Sequence, residues 1–179
     1  MINPEFVKIP TLKYYKEEGV SDIKFGTSEA ACFDLSAYFY VNRLLTSYDE
    51  NNMKSETSPF TTINNTACID IRPKERLLIP TGLWFDIPKG WSLRVHPRSG
   101  RSVKDGLNLI NCEGVIDSDY VDEVMITLFN NTKEVQYITS GERLAQAELV
   151  PVYTFNTQIL GNKPDKKGDR TGGFGSTGN

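Results

Sequence analysis

Leu83-Trp84-Phe85-Asp86-Ile87-Pro88-Lys89-Gly90-Trp91-Ser92-Leu93-Arg94-Val95 (LWFDIPKGWSLRV, residues 83–95) reads as a strand, a turn and a second strand. Aromatic and β-branched residues fill both arms, and Pro-Lys-Gly supplies the break. The same rhythm extends in both directions. Upstream, Ile69 and Ile71 precede the turn Pro73-Lys74-Glu75, then come Leu77-Leu78-Ile79 and the turn Pro80-Thr81-Gly82. Downstream, Val124 to Phe129 is followed by Asn130-Asn131-Thr132, Val135 to Ile138, Gly141-Glu142 and Arg143 to Val152. Short strands at near-regular spacing, punctuated by Pro and Gly, predict an all-β sandwich or barrel. No segment has the period of a long amphipathic helix. One short helix is expected after Pro97, over Ser99 to Lys104.

Towards the N-terminus, Phe6-Val7-Lys8-Ile9 alternates as a first strand, and Pro10 to Gly19 suits a turn or an irregular crossing. In residues 28–39 (SEAACFDLSAYF), Phe33, Leu35 and Ala37 fall on one face and Cys32, Asp34 and Ser36 on the other. Residues 41–66 break the rhythm with Asn, Ser, Thr and charge around a small apolar patch at Leu44-Leu45. They predict a solvated loop or hairpin extension. After Thr157 the composition changes again. Gly161 to Asn179 holds six glycines and one large apolar residue, Phe174, which is too little apolar surface to fold alone. The expected organisation is a β domain over 1–160, with 41–66 as a surface insertion, and a mobile tail over 161–179.

The whole chain has 179 residues and a net charge of −3. That size suits one domain. The charge argues against direct nucleic-acid binding, which needs a basic face. Three cysteines, Cys32, Cys68 and Cys112, are far apart and form no CxxC pair, so neither a disulfide framework nor a zinc site is expected. Reduced thiols point to the cytoplasm. Glu5, Lys8 and Pro10 come too early for a signal sequence, and no apolar run suits a membrane span. His96 is the only histidine, which speaks against a Ser-His-Asp triad or a histidine-based metal centre.

Chemistry-bearing residues gather in Leu107 to Glu123, LNLINCEGVIDSDYVDE. Asn111-Cys112-Glu113-Gly114 reads as a hairpin tip, because Asn and Gly tolerate the left-handed backbone of tight turns. Val115-Ile116 leads into Asp117, with Asp119 and Tyr120 beside it. A carboxylate at a strand end can serve as a general base, although Asp-Ser-Asp is also ordinary turn chemistry. His96-Pro97-Arg98-Ser99-Gly100 places a cation, a hydroxyl and a flexible backbone together. RTGGFGSTG (170–178) combines converging backbone N–H groups with the Ser176 and Thr177 hydroxyls, properties of a phosphate cradle, but no Lys follows the glycines as in a Walker A loop.

In this order, AACFDL (30–35), PRSG (97–100), GVIDSDY (114–120), GERLAQ (141–146) and RTGGFGSTG closely resemble the five motifs of the trimeric dUTPases. The resemblance implies a distorted jelly-roll fold and a homotrimer whose active sites are each shared by three subunits, with the tail closing over the nucleotide of a neighbour. It implies hydrolysis of dUTP to dUMP and pyrophosphate with Mg²⁺ bound mainly through the triphosphate. Asp117 matches the general base that activates water for attack on the α-phosphate. Tyr120 matches the residue packed on the deoxyribose, which excludes a 2′-hydroxyl. Asn111 and Gly114 match the uracil-reading hairpin. Ser99, Gly100 and Gln146 match phosphate contacts, and Arg98 the arginine that orders phosphates and base. Arg170, Ser176 and Thr177 match the γ-phosphate grip, beside Gly175, and Phe174 the cover over uracil. Asp34 matches a first-motif Asp that either reaches Mg²⁺ through water or serves structure. The chain departs from the pattern at Cys32, where Gly is common, at Cys112-Glu113, at Val121-Asp122 in place of Arg-Gly, and in the spacing of Arg170. Two alternatives stand beside this reading. One is a nucleotide-responsive interaction module using 41–66 as a partner surface. The other is a dCTP deaminase, which Phe129 opposes by standing where that family keeps its acid.

Overall fold

A computed structural model describes residues 9–169. The strands are β1 (Lys13–Lys16), β2 (Phe33–Ser36), β3 (Leu45–Tyr48), β4 (Lys54–Thr57), β5 (Phe60–Thr61), β6 (Ala67–Ile71), β7 (Arg76–Pro80), β8 (Leu83–Asp86), β9 (Trp91–Pro97), β10 (Leu107–Leu109), β11 (Gly114–Ile116), β12 (Met125–Asn130), β13 (Gln136–Thr139) and β14 (Arg143–Pro151). The single helix among the described residues, α1 (Ser99–Lys104), falls where the sequence places it.

The strands form antiparallel sheets in the orders β10-β12-β7-β3-β4, β11-β9-β14-β2, β13-β6-β5 and β1-β8. Alternation along most of the strands sends one face inward. Leu35, Ile69, Ile79, Leu93, Ile126 and Ile138, all fully buried, come from six different strands and meet in one core. Burying each such side chain is worth about 1.5–3 kcal/mol. This is a distorted jelly-roll or β-sandwich arrangement.

Three local expectations need correction. The alternating stretch at residues 6–9 lies almost wholly outside the described residues, and the first strand among the described residues is β1, inside the segment expected to be irregular. Its sequence, Lys-Tyr-Tyr-Lys, hides the pattern, because both faces carry a tyrosine. Tyr14 packs on Phe85 and Tyr15 edge-on against Trp84. The 41–66 segment takes the hairpin form of the two expected, but it is not solvated throughout. Its strand β3 is part of the main sheet between β7 and β4, with Leu45 and Ser47 buried. In β14 the alternation fails at a bulge between Arg143 and Ala145. Leu144 and Ala145 are both buried there, and Arg143 emerges beside Asp34. A bulge re-aims a side chain in this way.

Candidate active site

The sequence-predicted residues fall into two groups in the folded chain. The first surrounds the junction of β9 and α1. Arg98, at the helix start in extended conformation, directs its guanidinium back across the sheet. Its Nε lies 2.9 Å from Asp34 Oδ1, and its Nη1 donates to the Arg143 carbonyl oxygen at 3.0 Å. Arg143 Nη1 donates to the other Asp34 oxygen at 2.8 Å. One carboxylate therefore braces two arginines. Gln146, opposite both Asp34 and His96 in the sheet, donates from Nε2 to the Pro97 carbonyl oxygen at 3.1 Å. That bond fixes the turn into Arg98-Ser99-Gly100. Asp34, Arg98, Ser99, Gly100, Gln146 and Arg143 border an open cavity of about 430 Å³. A Cβ on Gly100 would meet no protein atom within 4 Å, so the chain's own packing does not require glycine there. Cys32 opens onto the same cavity; burial, aided by the Glu148 carboxylate, raises its thiol pKa.

The second group is the run from Asn111 to Glu123. β10 and β11 do not pair with each other. β10 lies beside β12 in one sheet and β11 beside β9 in another, so residues 110–113 cross between sheets instead of capping a simple hairpin. The left-handed residue of this crossing is Cys112, at φ 61°, not Asn111 or Gly114. Asn111 Oδ1 accepts from the Thr127 hydroxyl at 2.8 Å, which tethers the loop to β12. Gly114 packs closely: a Cβ there would sit 3.2 Å from Val95 Cβ on β9. Glu113 turns back along β9, with Arg94 Nη1 at 3.3 Å and His96 Nδ1 at 3.7 Å.

Asp117 follows β11 and is exposed, with no ion-pair partner within 4.0 Å among the described residues. The Tyr120 N–H closes a turn onto the Asp117 carbonyl oxygen at 3.2 Å, and its hydroxyl donates to the Glu123 carbonyl oxygen at 3.0 Å. Burial, reinforced by Asp122 and Glu123, raises the Tyr120 phenol pKa, so it remains a neutral donor. Glu123 anchors the far end. One carboxylate oxygen accepts from the Gly82 N–H at 2.6 Å and the other pairs with Arg43. Gly82 (φ 65°) leaves no room for a side chain, because a Cβ would lie 2.6 Å from Val20 and 2.7 Å from Tyr38.

The Asp117 end of the second group does not reach the first within the chain. Ile116 pairs with Leu93, so Asp117 continues the register opposite Ser92, six residues before Arg98. At the usual strand rise this is about 20 Å along β9. Arg170, Phe174, Gly175, Ser176 and Thr177 lie outside the described residues. Three participants escaped the sequence reading. Arg143 stood inside a quoted motif but was given no role, because the bulge that aims it is invisible in the residue pattern. The Arg43–Glu123 pair spans eighty residues and left no local signal. No group of three His, Cys, Asp or Glu side chains suited to a metal occurs among the described residues. No helix there is long and apolar enough to cross a membrane.

The dUTPase family model matches residues 63–178. The chain is 41% identical over 113 residues to the deoxyuridine 5′-triphosphate nucleotidohydrolase of Finegoldia magna, covering 62% of this chain and 76% of the relative. It is 43% identical over 108 residues to that of Bdellovibrio bacteriovorus, covering 60% and 72%. Among solved structures, the dUTPase of Streptococcus mutans superposes with a TM-score of 0.60 at 23% identity over 80% of this chain and 98% of the other. The Staphylococcus bacteriophage 80alpha dUTPase with dUpNHpp gives 0.67 at 19% identity over 95% and 99%. These structures share the fold, and the matched sequence spans four of the five motifs together with most of the strands. The chain belongs to the dUTPase family.

Proposed function

We propose that this chain hydrolyses dUTP to dUMP and pyrophosphate as a homotrimer whose active sites are shared between subunits. The observation that carries this reading is the separation of the two groups. Residues matching the phosphate contacts surround one cavity, Asp117, which matches the base for the attacking water, lies about 20 Å away along β9, and neither group is complete alone. Bringing the Asp117 loop of one copy to the Arg98 cavity of another unites them. Cyclic association of identical chains is the ordinary way to do so. The tail over 161–179 closes the site from a neighbour, placing Arg170, Ser176 and Thr177 at the γ-phosphate and Phe174 over uracil.

Asp117 takes the proton of the attacking water as its oxygen bonds to the α-phosphorus. The bond from that phosphorus to the bridging oxygen breaks and pyrophosphate leaves. An exposed carboxylate without an ion-pair partner is free for this work. Arg98 is held by Asp34 and the Arg143 carbonyl before substrate arrives, so little reorganisation is needed as charge develops. Ser99 and Gly100 donate to phosphate oxygens, and the open space at Gly100 lets the backbone approach closely. Tyr120, its hydroxyl satisfied by Glu123, offers its ring to the deoxyribose. The 110–114 crossing reads uracil through backbone groups and Asn111, and a cytosine edge would leave buried polar groups mispaired.

Both Asp34 oxygens are engaged by arginines, and the described residues offer no cage for a resident metal. The residues present therefore fit Mg²⁺ carried in by the triphosphate oxygens, which would offset negative charge on the leaving group. The two arginines favour a bracing role for Asp34 over a water-mediated metal contact. The three free cysteines suit a reducing, cytoplasmic compartment.

The deciding experiment is pyrophosphate release by the purified chain from dUTP, dCTP, dTTP and UTP, with Mg²⁺ and with EDTA. Release from dUTP alone, abolished by EDTA, is expected. Tight dUTP binding without turnover would move the chain to a nucleotide-responsive module, and ammonia from dCTP would make it a deaminase. Phe129, lying beneath Lys74 Nζ at 5.8 Å in a cation–π contact, has no group to shuttle a proton.

A further inference from the structure

Four cations border the cavity at the β9–α1 junction, and three are already engaged by the chain's own carboxylates. Arg98 and Arg143 share Asp34. Arg101 pairs with Asp105 at 2.7 Å and with Glu142. Lys104, the last residue of α1, is the exception. It is exposed and has no carboxylate within 4.0 Å among the described residues. An arginine locked to a carboxylate presents a dipole to an incoming anion, whereas an unpaired ammonium presents its whole charge. A flexible lysine stem can follow a polyphosphate and place its charge between oxygens, which a braced guanidinium cannot do.

We propose that Lys104 is a binding residue for the terminal phosphates of the substrate and adds a mobile, unpaired positive charge to that of the braced arginines. This inference rests on the assignment of the phosphates to this cavity. Lys104 also sits in the last turn of a helix, where a cation is favourable for the helix itself. The two roles are separable. A helix-stabilising lysine shifts the melting temperature and affects every ligand alike, whereas a phosphate-binding lysine affects ligands according to the phosphates they carry.

The test compares the full-length chain with Lys104→Gln, Lys104→Arg and Arg98→Gln. Titration calorimetry at several salt concentrations would use dUMP, inorganic pyrophosphate and the imido analogue dUpNHpp, each with Mg²⁺. In Lys104→Gln the Kd for dUpNHpp and pyrophosphate should rise about tenfold, the low end of the range for one charge-assisted phosphate contact on an exposed side chain. The Kd for dUMP should stay within about twofold, and the salt dependence of dUpNHpp binding should become shallower as one screened charge is lost. Lys104→Arg should restore most of the affinity. Unchanged dUpNHpp affinity, or equal weakening for dUMP and dUpNHpp, would overturn the inference. The Arg98→Gln arm separates the two levels. If it weakens dUpNHpp while Lys104→Gln does not, only the role of Lys104 fails. If neither variant changes dUpNHpp binding, the assignment of phosphates to the cavity fails with it.

Discussion

The Arg98 cavity and the Asp117 loop are built on opposite plans. At the cavity, Asp34, Arg143 and Gln146 come from the adjacent strands β2 and β14 and Arg98 from the start of a helix; Asp34, Arg98 and Arg143 hold one another, and Gln146 holds the Pro97 carbonyl oxygen, at about hydrogen-bond distance. At the loop, Asp117 is exposed, the Tyr120 hydroxyl is satisfied only locally, and the segment is moored at one end through Glu123. The braced half can bind a polyanion as it stands. The loop half presents its working groups outward, where an isolated chain has nothing to meet them. Under the proposed function, such a site is completed by association, and its two halves should respond differently to mutation.

The largest effect should come from the loop. Asp117→Asn is expected to lower kcat by about 10³, within the range for loss of a general base, with dUTP binding little changed. Steady-state turnover alongside a binding titration checks this, and equal turnover would remove Asp117 from the chemistry. Mixing Asp117→Asn chains with Arg98→Gln chains then tests the division itself. Random assortment into trimers leaves about one site in four with both native groups, so the mixture should recover activity that neither variant has alone. No recovery after demonstrated subunit exchange would mean that both groups serve a site within one chain. Arg43→Ala should cost about 1 kcal/mol of stability, as expected for a half-buried pair, and lower kcat severalfold by freeing the Glu123 end of the loop. A melting curve and a turnover assay read both. Glu113→Gln should have the smallest effect, raising KM for dUTP by about twofold as the contact with Arg94 weakens. A larger effect would mean that Glu113 is part of base recognition rather than a tether for its loop.

Much of this architecture was legible in the residues. From Ala67 to Pro151, alternation and Pro/Gly punctuation mark the strands closely, because each is half-buried and ends at a turn former. β1 was missed, since its tyrosines pack sideways on Phe85 and Trp84 instead of alternating. β3 was missed, since one buried leucine and a buried serine do not make a pattern. For the candidate site, motif order singled out Arg98, Ser99, Asp117 and Gln146 without any structure. The connections among them stayed hidden. The Asp34–Arg98–Arg143 brace joins three distant segments through a bulge, and Cys112, rather than the neighbouring Asn or Gly, takes the left-handed turn position. Spacing records which residue types are present, while partner choice follows from register, which is a property of the whole sheet.

The β3–β4 hairpin bears on solubility. β4 is the outer edge of the five-stranded sheet, and its Lys-Ser-Glu-Thr sequence is polar throughout. Charged edges discourage one sheet from adding to another. Excising residues 41–66 would strip away β3 and β4 together and leave β7, with Leu77 and Ile79, as an unguarded edge. A chain shortened there is expected to aggregate during expression, even with every motif residue intact.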